Sequence, residues 1–129
     1  MKIFYILVFL VFATISCTKT EGPGGTSSIN GKVLIYDING LGDTIGEPYY
    51  AMDQDVFIIY GESDDTYDDK FATSFDGSYR FDYLTPGKYT VFAYSRCDTC
   101  NDGMMPVMKS IEITAKKSTN PISDLVILK

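Results

Sequence analysis

The feature that most limits how this chain can fold is a succession of short apolar runs, separated by turn residues, from Ile29 onwards. No stretch repeats at helical spacing, and the runs alternate as strands do. Seven can be marked: Ile29 to Ile38, Val56 to Tyr60, Phe71 to Phe75, Tyr79 to Tyr83, Tyr89 to Tyr94, Val107 to Thr114 and Asp124 to Leu128. In the fourth, Tyr79, Phe81 and Tyr83 alternate with Ser78, Arg80 and Asp82, the pattern of a strand with one buried face. The second, Val-Phe-Ile-Ile-Tyr, is apolar on both faces and reads as a central strand. Between the fourth and fifth lies Thr85-Pro86-Gly87-Lys88. There Pro presets φ at the second turn position and Gly supplies positive φ at the third. Seven strands within residues 29–129 predict an all-β domain, a two-layer sandwich.

Two segments of another kind precede the domain. Lys2 is followed by eleven uninterrupted apolar residues, 3 to 13, and then by Thr14-Ile15-Ser16-Cys17. A bilayer core needs about 20 apolar residues, so this run reads as the apolar part of a signal peptide. Its end resembles the lipobox of bacterial lipoproteins, with Thr14 standing where that family favours Leu. The resemblance implies cleavage after Ser16, a signal peptide of residues 1–16, and acylation of Cys17. The membrane then becomes a partner through a lipid anchor, which several acyl chains make essentially permanent. Thr18 is not the Asp that marks inner-membrane retention, so the resemblance points to the outer membrane of a cell envelope. Residues 17–28, rich in Gly, Pro, Ser and Thr, read as a flexible tether carrying the domain of residues 29–129.

One stretch carries a family resemblance. Asp76-Gly77-Ser78-Tyr79-Arg80-Phe81-Asp82-Tyr83-Leu84-Thr85-Pro86-Gly87-Lys88-Tyr89-Thr90-Val91-Phe92-Ala93 is similar to a signature of carboxypeptidase regulatory-like domains, D-G-x-Y-x-F-x-x-L-x-P-G-x-Y-x-V-x-A. Their prealbumin-like and collagen-adhesin B-type relatives share it. Gly31-Lys32-Val33, Pro48, Asp55-Val56 and the closing Ser123 to Leu128 extend the similarity over about residues 28–129. The resemblance implies a seven-stranded, prealbumin-like Greek-key sandwich that serves as an accessory, spacer or binding module. Physically the motif reads as a hairpin. Tyr79, Phe81 and Leu84 would point inward before the turn, and Tyr89, Val91 and Ala93 after it. The hydrolases built on this fold depend on His, and this chain has none.

The missing His also excludes Ser-His-Asp and Cys-His catalysis, and with it the usual zinc sites. Acidic residues outnumber Lys plus Arg by 17 to 11, which argues against a nucleic-acid partner. No carboxylate pair sits in a motif that would set two different pKa values, so the chain reads as non-enzymatic and without a resident cofactor. With Cys17 given to lipid, two of the three cysteines remain, in Cys97-Asp98-Thr99-Cys100. No βαβ unit accompanies them as in a redox dithiol, and further zinc ligands are missing, so the pair is expected to form a local disulfide. Met104-Met105-Pro106 beside it reads as a small apolar cap.

Charge is unevenly placed. Residues 37–76 hold eleven acidic residues against Lys70 alone. Oxygen-rich loops of this kind are where Ca²⁺ could bind. The candidates are Asp37, Asn39 and Asp43 in one loop, and Asp64, Asp65, Asp68 and Asp69 in another. The competing reading is that these carboxylates only solvate the surface. Tyr49, Tyr50 and Tyr67 stand in the same region and suit stacking on a sugar or a protein partner. The expectation is therefore a lipid-anchored envelope protein acting as a structural or binding accessory. The alternative is a Ca²⁺- or glycan-binding module using the acidic, Tyr-rich loops of residues 37–76.

Overall fold

The structure is a computed structural model that describes residues 20–62 and 66–129. Residues 1–16, read as a signal peptide, Cys17, and Asp64 and Asp65 lie outside the described residues. The described residues form nine strands and no helix. They are β1 (Pro23–Ile38), β2 (Thr44–Tyr50), β3 (Asp55–Tyr60), β4 (Asp69–Ala72), β5 (Ser78–Leu84), β6 (Gly87–Arg96), β7 (Met104–Ile113), β8 (Thr119–Pro121) and β9 (Leu125–Leu128).

All seven expected strands are present, and β2 and β8 are additional. Every residue of β2, Thr-Ile-Gly-Glu-Pro-Tyr-Tyr, is exposed, so no buried face imposed an alternation. The strand is held by main-chain pairing with β1, Leu34 opposite Tyr50 and Ile38 opposite Thr44. β8 has three residues and includes Pro121, too short and too poor in donors to leave a pattern.

β1 organises the first sheet. Its first half pairs antiparallel with β5, Ile29 opposite Phe81 and Gly31 opposite Tyr79, and parallel with β8. Its second half pairs antiparallel with β2 and parallel with β9, Val33 opposite Leu125. The second sheet runs β4-β3-β6-β7, antiparallel throughout. Inward residues of both sheets make one core in a sandwich-like arrangement, with Ile29, Val33, Val56, Ile58, Val91 and Ile127 fully buried.

Two expectations need correction. β1 begins at Pro23, inside the segment read as a flexible tether. The small residues there serve close packing rather than freedom: a Cβ on Gly25 would collide with the Leu84 carbonyl. Ser27 and Ser28 are buried, and the Ser27 hydroxyl donates to the Ala115 carbonyl at 2.9 Å. The second correction concerns the signature motif, which is not a hairpin. β5 belongs to the first sheet and β6 to the second, so Pro86-Gly87 carries the chain across the sandwich. The inward side chains are nevertheless as expected, Tyr79, Phe81 and Leu84 from one sheet meeting Tyr89, Val91 and Ala93 from the other. Tyr83 departs from its alternation. Its φ of 58° places it in the left-handed region, and its ring is 75% exposed while Leu84 turns in.

Tyr89 ties the start of the described chain to this crossing. Its hydroxyl accepts from the Gly22 amide at 2.9 Å and donates to the Thr85 carbonyl at 2.7 Å. The Thr85 amide in turn donates to the Gly22 carbonyl at 2.9 Å. Residues 20–22 are thus strapped over the β5–β6 connection.

Candidate ligand-binding face

Strand periodicity gives the second sheet two different faces. On β3, Val56 and Ile58 point into the core, so Phe57 and Ile59 point away from it. On β6, Tyr89, Val91 and Ala93 point in, and Thr90, Phe92 and Tyr94 point out. Register then lines up the outward residues across the strands. Phe57 lies opposite Phe92, Phe92 opposite Met108, and Tyr94 opposite Pro106.

The result is an aromatic cluster on an outer surface. Phe57 stacks on Phe92 with centroids 5.1 Å apart, and Tyr94 meets both edge-on at 5.6 Å. Tyr67, from the connection before β4, lies on Phe57 at 4.7 Å. These are separations at which aromatic pairs attract. Phe92 and Ile59 are buried beneath, while Tyr67, Tyr94 and Met108 stay 48%, 41% and 52% exposed. Together with Thr66 and Pro106 these residues line a groove of about 300 Å³. Elsewhere on the same face of the sheet stand an Asp55–Lys70 ion pair at 3.9 Å and the Thr90 and Ser110 hydroxyls, 3.3 Å apart. A floor of this kind can take the apolar face of a ring.

Of the three tyrosines singled out by sequence, only Tyr67 belongs to this face. Tyr49 and Tyr50 sit on β2 in the other sheet. The Tyr49 hydroxyl donates to Asp37 Oδ1 and that of Tyr50 to Asp124 Oδ2, each at 3.1 Å. Desolvation and then the Asp37 carboxylate raise the Tyr49 pKa above its ordinary value. The hydrogen bond to Asp124 does the same for Tyr50. Lys32 Nζ lies 4.6 Å above the Tyr50 ring. These two phenols are committed within the molecule.

Asp37, Asn39, Asp68 and Asp69 among the oxygen-bearing candidates make local hydrogen bonds. Asn39 Oδ1 accepts from the amides of Leu41 and Asp43 at 2.9 and 3.0 Å, closing the turn between β1 and β2. Asp68 Oδ2 accepts from the Tyr60 amide at 2.7 Å, and Asp69 Oδ1 from the Lys70 amide at 2.8 Å. Among the described residues no three Asp, Glu or Cys side chains converge as metal ligands. Cys97 and Cys100 form the expected disulfide in the β6–β7 turn. Met104 and Met105 beside it are about half exposed, so the apolar cap is an open one.

Phe57, Phe92, Tyr94 and Met108 were missed as site residues. Their signal was present, since both the β3 and the β6 runs are apolar on both faces. In a strand that pattern usually means cover on both sides, and among the described residues the cover shown over the outer one is Tyr67.

Geometry of this kind defines an all-β, two-sheet module with an aromatic outer face. No family model matches the chain, and no curated protein matches it. The fold is similar to the crystal structure of a candidate carbohydrate-binding protein from Pseudomonas aeruginosa. The TM-score is 0.51 at 14% identity, over 88% of this chain and 93% of that one.

Proposed function

We propose that this protein is a non-enzymatic, lipid-anchored module of the cell envelope that binds glycan chains on the outer face of β3, β6 and β7. The observation that carries the reading is the aromatic floor itself. Tyr67 and Tyr94 lie exposed beside the Phe57–Phe92 stack, and their hydroxyls and that of Thr66 are the polar groups of the groove's lining. Sugar rings have apolar C–H faces and hydroxyl edges, and a floor of rings with hydroxyls in its lining complements both. Within the glycan- or Ca²⁺-binding alternative, sugar is favoured over cation because among the described residues no three Asp, Glu or Cys side chains converge. The fold likeness to a candidate carbohydrate-binding protein supports the same choice. The accessory role is supported by the resemblance of Asp76 to Ala93 to carboxypeptidase regulatory-like domains, and the anchor by the apolar run ending at Cys17.

A shallow face holding two or three rings binds weakly, with Kd between about 1 mM and 1 µM. Affinity electrophoresis in gels cast with soluble α- and β-glucans, xylan, mannan and galactan tests the proposal. Retardation is expected in at least one gel, and a tenfold or greater weakening in the Tyr67→Ala/Tyr94→Ala double variant with its melting temperature kept. A folded wild type that no gel retards, or a double variant retarded equally, would overturn it.

A further inference from the structure

The aromatic groove has a continuation on the same face. Outward positions recur every second residue along β6 and β7, and register pairs them as Tyr94–Pro106, Phe92–Met108, Thr90–Ser110 and Lys88–Glu112. The first two pairs line the aromatic groove. The last two, with Gly61 and Glu62 just after β3, line a second cavity of about 280 Å³. Ile59 in the lining of the first cavity lies opposite Thr90 in the lining of the second, so the two adjoin.

The polar groups of the second cavity are open to a ligand. Glu62, Lys88, Ser110 and Glu112 are exposed, and Thr90 is partly so. From Tyr94 to Lys88 a strand advances about 20 Å, at roughly 3.3 Å per residue. One sugar ring cannot cover that distance, whereas a chain of several can.

The two ends differ in charge. Near the aromatic end, the Asp55–Lys70 pair is balanced. At the other end, Lys88 Nζ donates to Glu62 Oε1 at 2.9 Å, Glu112 lies opposite Lys88, and Glu21 lies against Gly87 and Gly61. The hydrogen bond to Glu62 raises the Lys88 pKa above its ordinary value, and Glu112 and Glu21 add to the shift. Three carboxylates thus surround one ammonium, and this end is net negative. An anion brought among them is repelled over a Debye length, about 8 Å at physiological salt.

Resting on the glycan reading of this face, we propose that the ligand is a linear oligosaccharide longer than a disaccharide. It lies along β6 and carries no negative charge where it passes Lys88 and Glu112. Its leading units lay their apolar faces on Phe92, Tyr94 and Tyr67. Hydroxyls of the following units, which both donate and accept, meet Thr90, Ser110 and the Glu62–Lys88 pair. A chain of uronic acid units would set a carboxylate beside Glu62 and Glu112 and is rejected, so the same charges that leave neutral chains alone supply specificity.

Calorimetric titration of the full-length protein, held in a detergent without a sugar headgroup, tests this. The probes are cello-, malto-, xylo-, manno- and galacto-oligosaccharides of two to six units, each also carboxymethylated and as the neutral methyl ester of that acid. At least one unmodified series is expected to bind, its tetramer tenfold or more tighter than its dimer. Ser110→Gln fills the second cavity from an exposed position, so it should abolish that gain with length and keep dimer affinity and melting temperature. The acid form should bind at least tenfold more weakly than its ester, and at most threefold more weakly in Glu62→Gln/Glu112→Gln. A tetramer no tighter than the dimer, or a length gain kept in Ser110→Gln, would overturn the extended site. If Tyr67→Ala/Tyr94→Ala still abolished binding, the glycan face itself would stand. An acid form that matches its ester would overturn the exclusion of anions. Absence of binding by every series would overturn the glycan reading and the extension together.

Discussion

Tyr79 and Tyr89 are both fully buried phenols, and their hydroxyls have opposite fates. That of Tyr89 is saturated, accepting from Gly22 and donating to Thr85, whereas that of Tyr79 has no partner among the described residues. Tyr89→Phe therefore leaves the buried Gly22 amide unmet and is expected to destabilise the domain by about 1–3 kcal/mol. Chemical denaturation measures the loss, and amide exchange should quicken at Gly22 and Thr85. For Tyr79 the consequence is a pH dependence. The unfolded chain gives up this phenolic proton from about pH 10, the folded one only near 12. The unfolded state then binds fewer protons across that window, so stability falls as pH rises from about 10 to 12. Denaturant midpoints taken across that range should drop less in Tyr79→Phe than in the wild type.

Among the elements, what could be read from sequence was which side chains face inward. Period-2 alternation marks Tyr79, Phe81, Tyr89, Val91 and Ala93 directly, but it carries Tyr83 inward where the structure turns Leu84 in instead. The pattern carries no information on which strand lies alongside, so two strands joined by Pro86-Gly87 were read as a hairpin when they belong to different sheets. β2 was illegible for the complementary reason, since a strand exposed along its whole length has nothing to alternate. The Gly- and Ser-rich start of β1 shows that small residues mark close approach as readily as flexibility. At the candidate site, Tyr67 was legible from its acidic, Tyr-rich neighbourhood, while Phe57 was absorbed into the reading of a central strand and Phe92 and Tyr94 were given no role. The Cys97–Cys100 disulfide belongs to a turn already closed by backbone bonds, Cys97 donating to Gly103 at 2.8 Å and Gly103 to Cys100 at 3.0 Å. Reduction is expected to cost about 2 kcal/mol, as for so short a ring in the chain-entropy model. Hydrogen exchange should quicken between Arg96 and Met104 and leave β3 and β5 protected. Intact mass should rise by two hydrogen atoms when reductant opens the Cys97–Cys100 bond.

At the scale of the whole molecule, the proposed protein is a lipid-anchored sandwich with one face for glycan. If Cys17 carries the anchor, metabolic labelling with a fatty-acid probe should tag the wild type and not Cys17→Ala, and equal labelling of both would remove the lipid from the account. The acidic stretch of residues 37–76 is expected to act through its solvation and its turns, so chelators should leave glycan binding unchanged. The central claim is that the outer face of β3, β6 and β7 is the glycan site, and backbone amide NMR addresses it most directly. The isotope-labelled full-length protein would be titrated with an oligosaccharide from whichever polysaccharide retards it. The account expects the largest shifts at Phe57, Phe92, Tyr94 and Met108, with β1 and β2 unmoved. Shifts confined to the β1–β2 side, or none at a saturating concentration, would contradict it.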